Sequence, residues 1–510
     1  MTSPESDLES TLRPLDGSEA LTLLNDVAGF LTERDIRAYI TGGWVRDVLL
    51  GRDTADIDIA VRGDGLEVAR SVAVALGGRY VLLDSENGVG RVVLPGRRTE
   101  FDFTTLRGNI EEDLALRDFT VNAMAIDMCQ LSGSFSDIRL IDPLNGYADL
   151  RGGIIRAVAD TVFTSDGARL LRGVRLAAEL GFTIDEKTET LLEQHSGLIA
   201  GVAGERVRGE LLRLLAVPGA GIFVAYLDKL GLLTVIFPEM EQAKGVKQPG
   251  EHFWDVFHHS LRTVSATDFL LGEGEWEFGG DEVRAAIPGM EIEADYFEQE
   301  VGKGSTRKSL LRLAALLHDV SKPAKKTIEA GGRMRFLGHA ADGAAVAAER
   351  LAALRFSVKE INLVEALILH HLRPTQMSND GLPSNRAIYR YFRDTDEAAV
   401  DILLLSLADH LASRGPDLDP AAWREHTRLV DYVIRQRIEK EKIIIPPKLV
   451  SGYDIMNILG GSAGPVVGKT LEVVREAQAA GEVVTRQDAL AFVEKLLAAP
   501  DWLETRNDKN

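Results

Sequence analysis

Cysteine is almost absent from this 510-residue chain, and long apolar runs are missing altogether. The single cysteine, Cys129, permits no internal disulfide and no cysteine-based metal cluster, which agrees with a reducing compartment. No apolar stretch approaches the roughly 18 to 20 residues that a membrane-spanning helix needs, and the first residues show no basic and apolar export signal. We therefore expect a cytoplasmic protein with no membrane association.

Positive charge is in short supply as well: 58 lysines and arginines face 78 acidic residues, a formal net charge of −20. That balance argues against a general nucleic-acid coat protein, because phosphate binding needs a local excess of positive charge. It does not exclude a basic groove, since residues 1–215 contain 22 arginines and one lysine, Lys187. Arginine recognises phosphates and base edges with paired hydrogen bonds. GC-rich codon usage would also produce this bias, but it should act on the whole gene, and lysines recur from Lys244 onward.

The residue pattern changes from mixed to helical along the chain, whose length predicts about two to four domains. Between about 20 and 155 the pattern predicts an α+β unit with a small mixed sheet. Helices are predicted at 19–34 and 65–76, and strands at 38–41, 56–61, 79–83, 90–94 and 99–105. After Ile155 strand signals nearly vanish, and apolar residues recur at helical spacing.

Two segments near the start combine glycines with paired acids. Gly42-Gly43-Trp44-Val45-Arg46-Asp47 follows a predicted strand and precedes a predicted helix over 45–50, so its backbone N–H groups can approach an anionic ligand without a Cβ in the way. Asp56-Ile57-Asp58-Ile59 alternates along a strand, which puts both carboxylates on one face and both isoleucines on the buried face. Neighbouring acids repel unless a divalent cation neutralises them, and such oxygen ligands suit Mg²⁺ bound with substrate phosphates.

Together these strings resemble the first motif of the class II tRNA nucleotidyltransferase and bacterial poly(A) polymerase family. The resemblance implies a polymerase-β-like nucleotidyltransferase head, which transfers nucleotides from CTP and ATP to the 3′ end of tRNA with Mg²⁺. The nucleotide-binding residues implied by this motif are Gly42, Gly43, Arg46 and Asp47.

Two-metal transfer usually needs a third carboxylate near the first pair. Thr99-Glu100-Phe101-Asp102-Phe103-Thr104 alternates like an adjoining strand, and Asp102 stands where the family has an acid. The predicted catalytic residues are therefore Asp56, Asp58 and Asp102, with Asp56 and Asp58 as metal ligands and Asp102 as the third ligand. Glu100, on the same strand face, is the competing choice for the third acid.

A second motif follows in Leu116-Arg117-Asp118-Phe119-Thr120-Val121-Asn122-Ala123. It resembles the family segment in which an Arg-Asp pair and an Asn contact sugar and phosphates, which implies those roles for Arg117, Asp118 and Asn122. A ribonucleotide enzyme needs such polar groups to recognise the 2′-hydroxyl.

The segment from Ser165 to Arg175 resembles the motif in which the protein itself acts as template, with Asp166 and Arg169 reading the Watson–Crick edge of the incoming base. This pair presents acceptors and donors, which suits cytosine or adenine. We expect the two residues on one helix face, with Ser165, where the family usually has Glu, capping the helix. Arg172 and Arg175 continue the three-residue spacing and are also predicted to bind the nucleotide. Arg175 falls nearly opposite Asp166, so some of these groups should bind phosphate or a neighbouring carboxylate.

Eight of the ten histidines lie between His252 and His410. Segments 255–261, 316–323 and 407–409 resemble the HD phosphohydrolase superfamily in the order His, His-Asp, Asp. Imidazole and carboxylate together can hold a divalent metal that activates water on a phosphate ester. The metal ligands implied are His259, His318, Asp319 and Asp409, with His339 and one of His370 or His371 as partners of a second metal. Whether such a site still hydrolyses a substrate is left open.

The resemblance covers nearly everything from 20 to 498 and implies a domain order. We expect a disordered N-terminus (1–18), the nucleotidyltransferase head (19–155), an all-α neck that selects the base and binds RNA (156–245), an HD domain with an acidic surface insertion at 271–304 (246–415), and a helical tail (416–510). Within the neck, 205–212 resembles a family helix that either braces the site or contacts the substrate.

Three functions compete at this point. The first is addition of CCA to tRNA; the second is poly(A) synthesis, which a long basic C-terminal extension would favour. The third is an HD phosphohydrolase with a nucleotide-sensing head, which loss of either acid of the Asp-x-Asp pair would favour. Only three residues separate Arg107 from Glu111, where CCA-adding members resemble one another in a longer flexible loop. In the family a shortened loop goes with enzymes that add only two cytidines and leave adenosine to a separate partner enzyme, so both products stay open.

Overall fold

The computed structural model describes residues 19–52, 54–85, 88–131, 138–289, 295–377, 381–439, 446–461 and 464–499. The chain divides into two compact units. Unit 1 comprises Met1–Val202 and Leu230–Val235, and unit 2 comprises Ala203–Lys229 and Ile236–Asn510. The segment predicted to be disordered, 1–18, lies outside the described residues, and the segment predicted as a neck, 156–245, is shared between the units.

Unit 1 contains a mixed sheet of seven strands in the order β3-β4-β5-β2-β1-β6-β7. The strands are β1 (Ala38–Thr41), β2 (Asp56–Val61), β3 (Arg79–Asp84), β4 (Val89–Val93), β5 (Glu100–Thr105), β6 (Ala125–Asp127) and β7 (Leu140–Ile141). β2 and β5 run parallel, whereas the other neighbouring pairs are antiparallel. All five strands predicted from alternation are present, with bounds that differ by at most one residue.

The helices of unit 1 cover this sheet and continue beyond it. They are α1 (Glu19–Thr32), α2 (Gly43–Leu49), α3 (Gly65–Ala75), α4 (Ile110–Ala115), α5 (Gly146–Gly152), α6 (Val162–Ser165), α7 (Ala168–Leu180) and α8 (Glu186–His195). A short parallel pair is formed by β8 (Ile154–Ile155), which precedes α6, and β9 (Thr183–Ile184), which follows α7. The helix predicted over 45–50 begins two residues earlier, at Gly43, so the glycine pair forms its first turn.

From residue 203 onward the chain is mainly helical, as predicted. The helices are α9 (Gly204–Ala216), α10 (Ala220–Lys229), α11 (Leu233–Ile236), α12 (Val256–Leu270), α13 (Gly280–Ala285), α14 (Arg307–Leu317), α15 (Lys322–Lys325), α16 (His339–Ala353), α17 (Val358–His370), α18 (Arg373–Gln376), α19 (Asn385–Thr395), α20 (Ala399–Arg414), α21 (Pro420–Glu439), α22 (Gly452–Leu459), α23 (Pro465–Ala479) and α24 (Arg486–Leu497). Two short hairpins, 300–306 and 327–335, interrupt them.

The core of unit 2 forms where α12, α14, α17 and α20 pack together. Almost every residue of α14 is buried, including Lys308, Ser309 and Arg312. The last three helices make a separate apolar cluster around Ile455, Val474 and Val493. The α+β class predicted from the sequence is confirmed, and within the described ranges no helix has the length and apolar character needed to cross a membrane.

Candidate active site

The predicted catalytic acids meet on one face of the unit 1 sheet. In the parallel pairing of β2 with β5, Asp58 lies directly beside Asp102, and Asp56 lies beside Glu100. The alternate side chains of both strands point into the core, where Ile57 and its equivalents are fully buried. Because side chains alternate along a strand, this apolar face fixes all four carboxylates on the opposite face. The competing residues Asp102 and Glu100 are therefore both present at the site.

A partly exposed arginine that the sequence motifs did not reveal lies among these acids. Arg91 on β4 is the antiparallel partner of Asp102. Its Nε and one terminal nitrogen donate to the two carboxylate oxygens of Asp102 at 2.7 and 2.8 Å. The other terminal nitrogen donates to Glu100, and Asp56 lies 3.9 Å away. Alternation along β4, with buried Val92, would have revealed Arg91 once the pairing of β4 with β5 was known.

Gly42 allows the chain to pass close to the acids. Its φ is 73°, in the left-handed region that glycine adopts without strain. A Cβ built on Gly42 would lie 2.4 Å from a carboxylate oxygen of Asp58 and 3.0 Å from a terminal nitrogen of Arg117. Asp58 and Arg117 therefore lie against the backbone of the glycine pair, which no other residue type would permit.

Burial raises the pKa of Asp58 to about 6. Arg117 lowers this pKa, whereas the nearby carboxylates of Asp102 and Asp56 raise it further. Neighbouring acids that disfavour each other's charged form are the condition under which a divalent cation binds, because the cation removes the repulsion. The donor set, carboxylate oxygens only, fits Mg²⁺.

The first two family-like motifs are joined by Arg46. Its guanidinium donates to both oxygens of Asp47 at 2.8 and 2.9 Å and to Oδ1 of Asn122 at 2.7 Å. Asn122 in turn donates to Asp118 at 3.1 Å. Arg117 instead donates to the hydroxyl of Thr41 at 2.7 Å, at the end of β1. The glycine segment and the 116–123 segment therefore form one connected polar surface.

Asp118 is buried and negatively charged. Burial acts to raise its pKa, but Arg172, Asn122 and the backbone N–H of Phe119 outweigh burial and lower it. Arg172 lies 3.3 Å from this carboxylate. Arg172 thus has a carboxylate as its neighbour, whereas Arg175 is buried and pairs with Glu179 on its own helix.

The proposed base-reading pair has a different local structure from the one expected. Asp166 precedes α7 in an extended conformation, so only Arg169 of the two lies on the helix. Asp166 accepts from the N–H of Ala168 at 3.1 Å, which is the capping role that we predicted for Ser165. Ser165 ends α6 and donates to Val162 at 2.8 Å, so that prediction was wrong. The prediction failed because α6 ends and α7 begins within the motif, so no single helix spans it.

Arg169 and Asp166 nevertheless remain close, with Nε of Arg169 4.0 Å from the Asp166 carboxylate. The terminal nitrogens of Arg169 donate to the carbonyl oxygens of Leu116 and Arg117 at 3.0 and 3.3 Å. The third motif is thereby attached to the second. The predicted nucleotide-binding residues of unit 1 form one continuous network, except Arg175, whose described partner is Glu179.

Unit 2 contains a second cluster, made by the predicted HD residues. Nε2 of His259 lies 3.1 Å from Nε2 of His318, 3.4 Å from Asp319 and 3.1 Å from Asp409. Nε2 of His318 is 3.3 Å from the same Asp319 oxygen. Donor atoms of His259, His318 and Asp409 all lie close enough to share one ion.

The other oxygen of Asp319 faces a second pair of imidazoles. Nε2 of His339 lies 3.3 Å from it and Nε2 of His371 lies 3.9 Å from it. Of the two candidates left open in the sequence, His371 is therefore the one at the cluster, together with His318 and Asp319. His370, the preceding residue, has no such position among the described contacts.

The imidazoles are held with one nitrogen turned inward. Nδ1 of His318, His339 and His371 each faces a backbone carbonyl oxygen three residues earlier, at 2.9, 2.7 and 2.7 Å. Donation from Nδ1 leaves Nε2 as the lone-pair atom, which is the tautomer a metal ligand needs. Burial lowers the pKa of His371 to about 4, which keeps that ring neutral. This set of nitrogens and carboxylates fits one or two divalent ions.

Comparison with known proteins agrees with this arrangement. Residues 38–156 match the poly A polymerase head domain, residues 181–244 match the probable RNA and SrmB-binding site of polymerase A, and residues 256–414 match the HD domain. The chain is 35% identical over 472 residues to the CC-adding tRNA nucleotidyltransferase of Thermus thermophilus, covering 91% of this chain and 94% of that protein. The chain belongs to the class II tRNA nucleotidyltransferase family.

Further relatives describe the range of this family. The chain is 33% identical over 464 residues to the A-adding tRNA nucleotidyltransferase of Deinococcus radiodurans, covering 90% of this chain and 95% of that protein. Among solved structures, the complex of a CCA-adding enzyme with CTP has a TM-score of 0.63 at 22% identity and covers 96% of this chain and 99% of that one. The Thermotoga maritima CCA-adding enzyme complexed with tRNA has a TM-score of 0.58 at 22% identity, with coverage of 93% and 95%. This class II tRNA nucleotidyltransferase is thus a tRNA 3′-end nucleotidyltransferase of the CCA-adding family, with the fold of these enzymes.

Proposed function

We propose that this enzyme adds two cytidines, from CTP, to the 3′ end of tRNA and leaves the terminal adenosine to a separate enzyme. The observation that carries the proposal is the short connection between β5 and α4. β5 ends at Thr105, which is the predicted end, and α4 begins at Ile110. The connection consists of 106–109 only. CCA-adding members of the family resemble one another in a longer loop at this place.

This connection is also fixed at both ends. The N–H of Leu106 donates to the carbonyl of Val61 at 2.9 Å, which continues the pairing with β2. Asn109 caps α4 in a capping box with Glu112. A segment of four residues that is held at both ends is too short to form a flexible loop, and such a loop is what the resemblance associates with CCA addition.

The residues of unit 1 supply the chemistry of transfer. Asp56, Asp58 and Asp102 would hold Mg²⁺, and a bound ion would supply positive charge that neutralises the triphosphate and the negative charge developing on the attacking 3′-oxygen. The backbone of the Gly42–Gly43 segment offers N–H groups to phosphate at the start of α2. Arg46, Asp118 and Asn122 form a preorganised polar surface for sugar and phosphate, which lowers the entropic cost of binding in the reactive geometry.

Base selection is assigned to Asp166 and Arg169. One oxygen of Asp166 is engaged by the helix N–H, and the other lies on the side of Arg169. A carboxylate oxygen beside guanidinium donors can pair with the amino group and ring nitrogen of cytosine without a nucleic-acid template. To contact the base, the terminal nitrogens of Arg169 would have to leave the backbone carbonyl oxygens to which they donate in this structure.

The decisive experiment is incubation of the enzyme with CTP and ATP together and a tRNA transcript that lacks its CCA end. Product is read at single-nucleotide resolution. We expect the tRNA to gain two cytidines and to stop, whether or not ATP is present. A product that ends in adenosine would refute CC addition.

A-addition is the second candidate, because the Deinococcus radiodurans relative with that name is nearly as similar as the CC-adding one. A transcript that already ends in CC separates the two: an A-adding enzyme extends it with ATP, and a CC-adding enzyme leaves it unchanged. CCA addition would extend both transcripts to the full end, and poly(A) synthesis would continue past one adenosine.

We also propose that the histidine and aspartate cluster of unit 2 hydrolyses phosphate esters when it is loaded with a divalent metal. The inward-facing Nε2 atoms and the shared Asp319 support this activity. Release of nitrophenol from bis(p-nitrophenyl) phosphate in the presence of Mn²⁺, Co²⁺ or Ni²⁺ is the expected result, and it should be lost in Asp319→Asn. No release with any of the three metals would refute it.

A further inference from the structure

The carboxylates of the transferase site already have a cation among them. Arg91 contacts Asp102 through two parallel hydrogen bonds and also contacts Glu100. Its guanidinium is 3.9 Å from Asp56. Since arginine does not lose its proton at any pH at which proteins work, this positive charge is permanent.

Both oxygens of Asp102 are engaged by this fork. These bonds occupy one in-plane lone pair on each oxygen, on the side of the carboxylate from which a metal ion would bind both oxygens together. Asp102 therefore cannot chelate a metal ion through both oxygens while Arg91 keeps both bonds. The backbone of Arg91 is fixed by the pairing of β4 with β5, but its side chain is 28% exposed, so it has room to turn outward.

We infer that Arg91 is a built-in competitor of the divalent metal at the transferase site: it neutralises Asp102 and Glu100 when no metal is bound, and it sets the metal concentration that the enzyme requires. Arg91 acts through Asp102 and is a positioning residue. This inference rests on the proposed nucleotidyl transfer, because it concerns the metal of the same site.

Direct binding of Mn²⁺ to the full chain, measured by electron paramagnetic resonance of the free ion, tests the inference. Arg91→Ala should lower the Kd of the site at least about tenfold, since a hydrogen-bonded charge pair no longer has to be broken. Arg91→Lys keeps the charge but cannot engage both oxygens of Asp102 and Glu100 together, so it should lower the Kd about threefold. Asp58→Asn protein, titrated in parallel, gives the binding that belongs to the unit 2 cluster.

Thermal unfolding provides a second readout. Metal-free Arg91→Ala should melt below the wild type, because its acids repel, and saturating Mn²⁺ should raise its Tm by more than it raises that of the wild type. Arg79→Ala removes an exposed guanidinium from the neighbouring strand β3 and is the matched control, with an unchanged Kd.

The inference is overturned if Arg91→Ala binds Mn²⁺ with an equal or higher Kd, which would make Arg91 an aid to metal binding. If Arg91→Ala does not fold, the Kd of Arg91→Lys for Mn²⁺ provides the same test, and an equal or higher Kd than that of the wild type overturns the inference. Absence of CTP incorporation by the wild type would refute the proposed function instead, and it would leave the Mn²⁺ titration of the acids as a separate result.

Discussion

Gly42 and Gly51 flank α2 and share a left-handed backbone, with φ of 73° and 67°. They differ in their surroundings: a Cβ on Gly42 would overlap Asp58, whereas a Cβ on Gly51 would have no atom within 4 Å. Gly42→Ala should reduce CTP incorporation at least about 100-fold, because displacement of a reacting group by about 1 Å costs that much. Gly51→Ala should cost only about 1 to 2 kcal/mol of stability and keep near-normal activity. Single-turnover rates and urea unfolding of the two variants measure these effects, and equal loss of activity in both would contradict the prediction.

Asp58 gives the metal-free protein a pH-dependent stability. Its pKa is about 6 in the folded chain and about 3.9 in an unfolded chain, so the folded state binds the proton more tightly. The resulting contribution, about 2 to 3 kcal/mol, is fully present below pH 4 and is lost as the pH rises through 6. In EDTA, urea unfolding should show this loss between pH 4 and 6.5. Asp58→Asn has no proton to lose, and its stability profile should lack this step; a profile that keeps the step would assign it to another group.

The identity of the acids at the active site could be predicted from single residues, but their partners could not. Alternation of apolar and polar residues reveals which face a carboxylate lies on, so Asp56, Asp58 and Asp102 were predictable. Arg91 was missed because its importance depends on which strand lies beside β5, and hydrogen bonding between strands distant in sequence leaves no local pattern. The sequence also could not show which of His370 and His371 lies at the histidine cluster, because the partners of His371 are distant in the chain.

At the scale of elements, the acidic stretch 271–304 differs from the surface insertion that its composition predicted. Residues 290–294 lie outside the described ranges, but Glu273 accepts from Lys308 at 2.7 Å and from Arg312, and both cations on α14 are buried. Arg312 is fully buried and also pairs with Asp268 at 2.6 Å. The acids were assigned to solvent because the sequence does not show that α14 carries cations into the core. Part of this segment therefore stabilises α14.

Glu273→Gln should lower the free energy of unfolding by about 2 to 4 kcal/mol, because it leaves Lys308 and Arg312 with too little negative charge in a buried position. Glu275, two residues away, is 93% exposed, and its only described partner is Arg284 at 3.3 Å. Glu275→Gln is therefore the matched control and should change stability by less than about 0.5 kcal/mol. Urea unfolding of both variants provides the measurement, and similar losses would show that net charge, rather than the buried pairs, is what matters.

At the scale of the whole molecule, two metal-binding chemistries occupy different compact units of one chain. The acids of unit 1 offer only oxygen ligands, whereas unit 2 offers imidazole nitrogen as well. Asp319→Asn should remove metal from unit 2, because both oxygens of Asp319 face histidines, and it should leave CTP incorporation within about twofold of the wild type. Metal content by mass spectrometry and a primer-extension assay test the two halves of this prediction. A large fall in incorporation would show that the units depend on each other.

The order of the strands in unit 1 also has a consequence for synthesis on the ribosome. β1 comes first among the seven strands of the sheet, yet it lies between β2 and β6. β6 ends only at Asp127. Asp102 lies on β5, which pairs with β2 although β3 and β4 lie between these two strands in the sequence. After the glycine motif and the Asp-x-Asp pair have been synthesised, the nascent chain must grow by some 40 further residues before β5 is present. This number is the spacing between Asp58 and Asp102. Contacts this distant in sequence close slowly, so nucleotide binding should be among the last properties that the growing head acquires.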